Sequence, residues 1–360
     1  MPGESRLNKR AGAPPTIIDV AKKAGVSIKT VSRVLNKEAT VHPDTRALVL
    51  EVVAELNYRP QLSARSLAGA KSFILGLLYY EPSASYVAGV QRGATARCRQ
   101  ADYHLVVESL QSNGADLKPQ IDHMLAALRP DGMILTPPIC DNPDVLATLR
   151  AANTPCVLLS PAGDGHGMPR VLMDDTRASE ELTNLLISLG HTHIAFVRGA
   201  ADQAASERRQ AGFERAMKAH GLPVDPSLVF QGRFTFESGV EAAHHLLSRA
   251  VPPTAVFASN DDMALGVLAA AQRLGISVPR DLSIVGFDDS RAATLVFPAL
   301  TTVRQPVAEM AMAAVDMLLS GELKPGVSAE PPRRVLPHEL VVRGSTAAPV
   351  KAARPRKVAS

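Results

Sequence analysis

A small all-α head followed by a larger α/β body of two lobes is the fold class that this 360-residue sequence predicts. Two observations carry that reading. Over the first sixth of the chain, apolar residues recur at helical spacing in short segments. From Ser72 onward the pattern changes to apolar strands alternating with amphipathic helices, in two successive series.

Residues 1–15 are polar, basic and Gly/Pro-containing, without the apolar stretch of a secretory leader, and read as a disordered tail. Thr16 then caps a first helix near 17–24, with Asp19 in its first turn, where a carboxylate is favoured. Ile17, Val20, Ala21 and Ala24 share one face of that helix. Gly25 permits a sharp turn. Ser27 caps a second helix near 28–36 whose inner side is Val31, Val34 and Leu35. Ser27, Ile28, Lys29, Thr30 and Arg33 fall on its outward N-terminal half, the part a helix-turn-helix offers to a major groove. Taken alone, the pattern also fits an ordinary helical hairpin with solvated charges, the weaker of the two readings. A third helix near 44–56 opens after His42-Pro43, and Tyr58-Arg59-Pro60 stops it, because Pro disfavours the α region in the residue before it. Gln61 to Ala68 is too short to hold a helix alone in water, so its folding can be coupled to contact with DNA.

In the body, strands are expected at Phe73–Leu78, His104–Glu108, Gly132–Leu135, Cys156–Leu159 and Val171–Met173. A second series follows at Ile194–Val197, Leu228–Phe230, Ala255–Ala258 and Ser283–Phe287. Helices such as Asp175–Leu189, Glu207–Ala219, Glu237–Ser248 and Asp261–Leu274 separate them. The two series imply two parallel sheets with helices on both faces and a cleft where strand ends face each other.

Charge is distributed unevenly. Residues 1–71 hold 12 Lys/Arg against 6 Asp/Glu, and residues 351–360 add four more Lys/Arg. With +4 overall, the residues between carry −6. A basic head on a mildly acidic body suits a protein that meets phosphate at one end only. No apolar run approaches the roughly 20 residues that span a bilayer, which argues against a membrane partner. Cys98, Cys140 and Cys156 are widely spaced, fit no metal pattern and read as reduced thiols of a cytoplasmic protein.

Four linked motifs point further: Asp19 to Ser27 (D-V-A-x-x-A-G-V-S), Thr30 to Asn36 (T-V-S-R-V-L-N), Leu56 to Pro60 (L-N-Y-R-P) and Ala64 to Gly69 (A-R-S-L-A-G). Together they resemble the DNA-binding head of lactose/galactose-repressor (LacI/GalR) family regulators, and the resemblance continues more loosely to about Arg343. It implies a helix-turn-helix domain at 16–60, a hinge at 61–71, a two-subdomain body like periplasmic binding proteins at 72–343 and a disordered basic tail at 344–360. It also implies three crossings between subdomains, near Asp174, Asp288–Ser290 and Arg304–Val307, the last returning the chain to the first subdomain.

By the same resemblance, Ile28, Lys29 and Arg33 touch base edges, Arg33 as a fork able to hold guanine. Thr16, Ser27, Thr30, Asn36 and Thr45 suit phosphate contacts. Leu67 corresponds to a leucine that wedges into the minor groove from each subunit, while Ala64 and Ala68 let two hinge helices approach. Gln61 and Ala68 depart from the Asn and the basic residue common there. In the cleft, Arg209 matches the family's R-x-x-G arginine, and Asp288 an acceptor for ligand hydroxyls. Asn260 and Asp261 start a helix facing the cleft, Tyr86 and Phe234 supply an apolar wall, and Gln305 lies on a crossing. Arg208 is expected to be a solvated neighbour.

The implied function is a homodimeric, ligand-responsive regulator, foremost a repressor of carbohydrate uptake or catabolism genes, binding a pseudo-palindromic operator and needing no cofactor or metal. The ligand can act as inducer or co-repressor. The competing readings are a sugar-binding module without a DNA role and a glycosidase using two carboxylates across a cleft. No nucleophile elbow, P-loop or HExxH site supports catalysis.

Overall fold

A computed structural model of the chain describes residues 15–35, 38, 40–58, 71–80, 83–110, 117–321, 323 and 330–350. They fall into two units, Met1–Phe73 and Ile74–Ser360. Asn36, Gln61, Ala64, Leu67 and Ala68 lie outside the described residues.

The head consists of α1 (Ile17–Ala24), α2 (Ile28–Leu35) and α3 (Pro43–Glu55). At the start of α1 the Asp19 carboxylate accepts from both the backbone N–H and the hydroxyl of Thr16, each at 2.9 Å. Gly25 sits at φ 65°, the left-handed conformation that lets α1 stop and α2 begin three residues later. Ser27 caps α2, its Oγ accepting the Thr30 N–H at 3.1 Å. The helices enclose a core of small and branched residues, Val20, Ala24, Val31, Val34, Val49 and Val52, closed by Tyr58.

The body's first lobe is built from β1 (Ile74–Tyr79), β2 (His104–Ser109), β3 (Gly132–Leu135), β4 (Cys156–Leu159), β5 (Arg170–Met173) and, far along the chain, β11 (Arg333–Leu336). They form a parallel sheet in the order β11-β5-β4-β3-β1-β2. Between them run α4 (Ala84–Gln100), α5 (Lys118–Leu128) and α6 (Pro143–Ala151). The second lobe is a parallel sheet β7-β6-β8-β9, from β6 (Ile194–Arg198), β7 (Val229–Gln231), β8 (Ala255–Ala258) and β9 (Ser283–Val285). Its helices are α7 (Asp175–Ser188), α8 (Ala204–Ala219), α9 (Phe236–Leu247), α10 (Asp261–Arg273) and the short α11 (Arg291–Leu295). Every residue of β3, β4 and β8 is buried, as expected of parallel strands covered on both faces. In both sheets the strand order reverses beside the earliest strand, β1 or β6. Such switch points open a crevice at the carboxyl ends of the strands.

The chain crosses between lobes after β5, at Asp174, where α7 packs on α8 of the second lobe. It returns after β10 (Thr302–Arg304), because α12 (Val307–Leu319) packs on α4 and on the first sheet. The remaining crossing differs from expectation. Asp288–Ser290 is a turn within the second lobe, in which the Ser290 N–H donates to Asp261 and the following α11 packs on α10. The third crossing lies instead at Pro337–His338, between β11 in the first sheet and β12 (Glu339–Val341), which pairs antiparallel with β10. The expected disordered tail from 344 is also corrected. Ser345 is fully buried, donates to the Ile284 carbonyl at 2.6 Å and accepts from the Thr301 N–H at 2.8 Å. This segment satisfies polar groups along the open edge of β9, so it belongs to the second lobe as far as Ala347.

Candidate functional site

On the head, α2 carries its apolar residues inward and leaves Ile28, Lys29 and Arg33 exposed. At about 100° per residue these three lie within about 140° of arc, a single face near the helix start. Ile28 is 47% exposed, unusual for a branched apolar side chain and consistent with a surface kept for a partner. Arg33 is held loosely, its Nε 3.6 Å from Glu38 with both side chains about half exposed. Thr30 and Ser27 share a hydroxyl–hydroxyl bond at 2.8 Å, so both are oriented by the cap itself. Thr16 is exposed at the opening of α1, and Thr45 is half-buried in the first turn of α3.

In the body, the carboxyl ends of the strands meet around a cavity. From the first lobe, the residues after β1 supply Tyr80, Ser83 and Tyr86, while Pro137 follows β3 and Ser160 follows β4. From the second lobe, the segment after β6 supplies Gln203, Ala205 and Arg209, and Asn260 follows β8. Asp288 lies just beyond β9, while Phe234, Asp175 and Gln305 complete the wall.

Among the described residues of that wall, Arg209 is the only lysine or arginine, and it is 4% exposed. Its Nε donates to Asp175 at 3.0 Å and its Nη1 to the Ser259 carbonyl at 2.6 Å. The guanidinium lies over Phe287, and Asp288 stands 4.0 Å from Nη1. Gly212 makes this placement possible. A Cβ there would sit 2.1 Å from the Thr176 carbonyl oxygen, so glycine alone lets α7 approach α8 and bring Asp175 beside Arg209. Ser179 ties the pair together by donating to the Arg209 carbonyl at 2.5 Å.

The acids differ in task. Burial pushes the Asp288 carboxyl well above the usual carboxylate range, against the opposing pull of Arg209, and Gln305 donates to it. Asp261 does not line the cavity, contrary to expectation. Its carboxylate accepts from the Ser290 N–H at 2.7 Å and the Thr302 hydroxyl at 2.7 Å, pinning the turn that presents Asp288. Burial raises the Asp261 carboxyl to about 6. Asn260 both caps α10, accepting from the Met263 N–H, and donates to the Phe234 carbonyl. The Tyr86 hydroxyl is buried and has no hydrogen-bond partner among the described residues, a donor and acceptor left for something else.

Arg208 is not a solvated neighbour either. Its Nε donates to Asp175 and its two terminal nitrogens to the Ser160 and Pro161 carbonyls. Sequence reasoning also missed Tyr80, Ser83, Pro137, Ser160, Asp175 and Gln203. Their common signal, a place just past the end of a parallel strand, was available but does not by itself say which side chain turns inward.

The geometry defines a class: a two-lobed ligand-binding body carrying a helix-turn-helix head. Comparison with known proteins agrees. Residues 16–61 match the family described as bacterial regulatory proteins, lacI family, and residues 183–346 a periplasmic binding protein-like domain. The HTH-type transcriptional regulator DegA of Bacillus subtilis (strain 168) is 36% identical over 335 residues, 92% of this chain and 98% of that protein. Catabolite control protein A of Priestia megaterium is 35% identical over 92% of this chain and 99% of its own length. Among solved structures, the lac repressor dimer bound to operator and the anti-inducer ONPF has a TM-score of 0.77 at 30% identity, covering 93% and 100% of the two chains. The transcriptional regulator CelR–cellobiose complex has a TM-score of 0.68 at 33% identity, covering 92% and 99%. This chain belongs to the LacI family of bacterial regulatory proteins. It is a DNA-binding transcriptional regulator, and no described helix is long and apolar enough to cross a membrane.

Proposed function

We propose that the chain is a cytoplasmic, homodimeric repressor of carbohydrate uptake or catabolism genes, switched by a neutral sugar bound in the body's cavity. The carrying observation is the charge balance of the wall. Arg209 faces two carboxylates, Asp175 and Asp288, and its fork is already engaged by Asp175 and Ser259. A phosphorylated sugar or nucleotide would bring further negative charge to a site with one committed cation. A neutral polyol instead finds acceptors in Asp288 and Ser160, the unpartnered Tyr86 hydroxyl, and an apolar wall in Phe234 and Tyr80. The cellobiose held by the CelR structure supports the same ligand class.

On the DNA side, Ile28, Lys29 and Arg33 read base edges, while Thr16, Ser27, Thr30, Asn36 and Thr45 meet phosphates and fix register. Two heads bind the half-sites of a pseudo-palindromic operator, and Leu67 from each hinge, with Gln61, Ala64 and Ala68 beside it, enters the minor groove at its centre. Leu295 and Phe297, 72% and 89% exposed on the second lobe, supply apolar surface of the kind a second copy covers.

The test combines duplex selection with ligand titration. Selection from a randomised duplex pool should return a pseudo-palindrome bound with steep salt dependence. A neutral mono- or disaccharide from a panel should then change that affinity, with DNA changing sugar affinity by the same factor. No salt-dependent specific complex would sink the regulator reading of the head. Sugar phosphates acting where no neutral sugar does would overturn the ligand class.

A further inference from the structure

Arg208 and Arg209 are consecutive residues of α8, yet they face different lobes. Both grip one carboxylate, Arg208 at Asp175 Oδ2 (3.3 Å) and Arg209 at Asp175 Oδ1 (3.0 Å). Asp175 is buried, its side chain 2% exposed. Arg209 turns to the cavity, whereas Arg208 reaches across the cleft. Its Nη1 donates to the Pro161 carbonyl at 2.9 Å and its Nη2 to the Ser160 carbonyl at 3.1 Å, both on the first lobe.

Those two acceptors stand on a fixed segment. The Ser160 N–H donates to the Val171 carbonyl of β5 at 2.8 Å, and the Ala162 N–H to Asp141 at 2.7 Å. Ser160 itself sits at φ 47°, a conformation costly for a non-glycine residue, directly where the Arg208 fork docks. A second direct bridge, from the Ser83 hydroxyl to Asp262 at 3.1 Å, also links the lobes. It is a single bond, whereas the Arg208 bridge is a fork.

We propose that Arg208 is the positioning residue that couples closure of the two lobes to the placement of Arg209. Parting the lobes removes both carbonyl partners from Arg208 at once and leaves its guanidinium on Asp175 alone. The same carboxylate orients Arg209, so lobe spacing is transmitted to the ligand-reading fork through one shared side chain. The coupling rests on the proposed role of the cavity, but the latch itself can be tested without ligand or DNA.

The experiment uses the full chain with spin labels at Ala126→Cys on α5 and Lys218→Cys on α8, both exposed sites on opposite lobes. The native Cys98, Cys140 and Cys156 are buried and stay unlabelled. Electron-electron distance distributions should be short and narrow in the parent and longer and broader in Arg208→Ala. Arg208→Lys, which can reach one carbonyl but not both, should lie between them. Exposed Glu207→Ala serves as the neighbour that leaves the distribution unchanged. With any neutral sugar that binds the parent, Arg208→Ala should weaken binding about tenfold, and Arg208→Lys less. If Arg208→Ala does not fold, the Arg208→Lys distribution decides alone. A parental distribution in whichever variant folds overturns the latch. If the distances move but no sugar binds the parent, the latch stands and the ligand reading falls.

Discussion

The guanidinium carbon of Arg209 lies 3.8 Å above the ring centroid of Phe287 and 5.8 Å from that of Phe234. The plane of the fork is therefore fixed by stacking as well as by Asp175 and Ser259. Lysine would keep the charge and lose both the plane and the second donor. Arg209→Lys should lower affinity for a panel sugar by about tenfold or more, read by titration calorimetry on the folded variant, and should also lower thermal stability, because Asp175 and the Ser259 carbonyl lose buried donors. Retained affinity would place the ligand elsewhere.

Gly212 reverses a familiar rule. Glycine inside a helix is normally about 1 kcal/mol worse than alanine. Here the added methyl would meet the Thr176 carbonyl at 2.1 Å and Ser179 Cβ at 2.8 Å. Gly212→Ala should destabilise the body and also weaken sugar binding, since it pushes α7 and Asp175 away from Arg209. A stabilised variant with unchanged binding would contradict the close approach.

For the head, Arg33 and its partner Glu38 make opposite forecasts. Arg33→Ala should cost about 1–3 kcal/mol at one base pair and relax preference there. Glu38→Ala frees a guanidinium held at 3.6 Å and removes a negative charge near the interface, so operator affinity should rise modestly, most at low salt. Binding measured against single-base-substituted duplexes distinguishes a base contact from a phosphate contact, which would weaken all sequences alike.

The strands were legible because parallel strands buried on both faces leave unbroken apolar runs such as Gly132–Leu135, Cys156–Leu159 and Ala255–Ala258. Polar detail was less so. The R-x-x-G motif singles out Arg209, but nothing near Arg208 in sequence marks its partners, a pair of carbonyls 47 and 48 residues away. Asp261 resembles a cleft residue because it follows the cap Asn260, but its partners Ser290 and Thr302 come from the turn and strand that follow β9. The crossing expected at Asp288–Ser290 failed for the same reason. That segment reads as a strand end, and the Asp261 bond and the packing of α11 on α10 show it turning back into its own lobe.

Two buried groups of the second lobe give stability opposite pH slopes. His191 joins the lobe's parts: Nδ1 lies 2.9 Å from the Thr254 hydroxyl, and Nε2 lies 3.0 Å from the Ser283 hydroxyl and 2.9 Å from the Ala347 carbonyl. A carbonyl only accepts, so Nε2 carries the proton of a neutral ring. Burial holds the imidazole below its usual range. Its contribution is therefore complete above the unfolded value of about 6.5 and lost as pH falls through the lower folded value. Asp261 runs the other way. Its folded carboxyl is raised from 3.8 to about 6, so the folded state holds a proton that the unfolded state has released, and stability falls as pH rises between those values. Melts of the full chain should show the parent's advantage over His191→Ala growing as pH rises toward 7, and its advantage over Asp261→Asn shrinking from about pH 4 to 6. Parallel slopes in the two variants would mean that neither group titrates differently in the folded lobe.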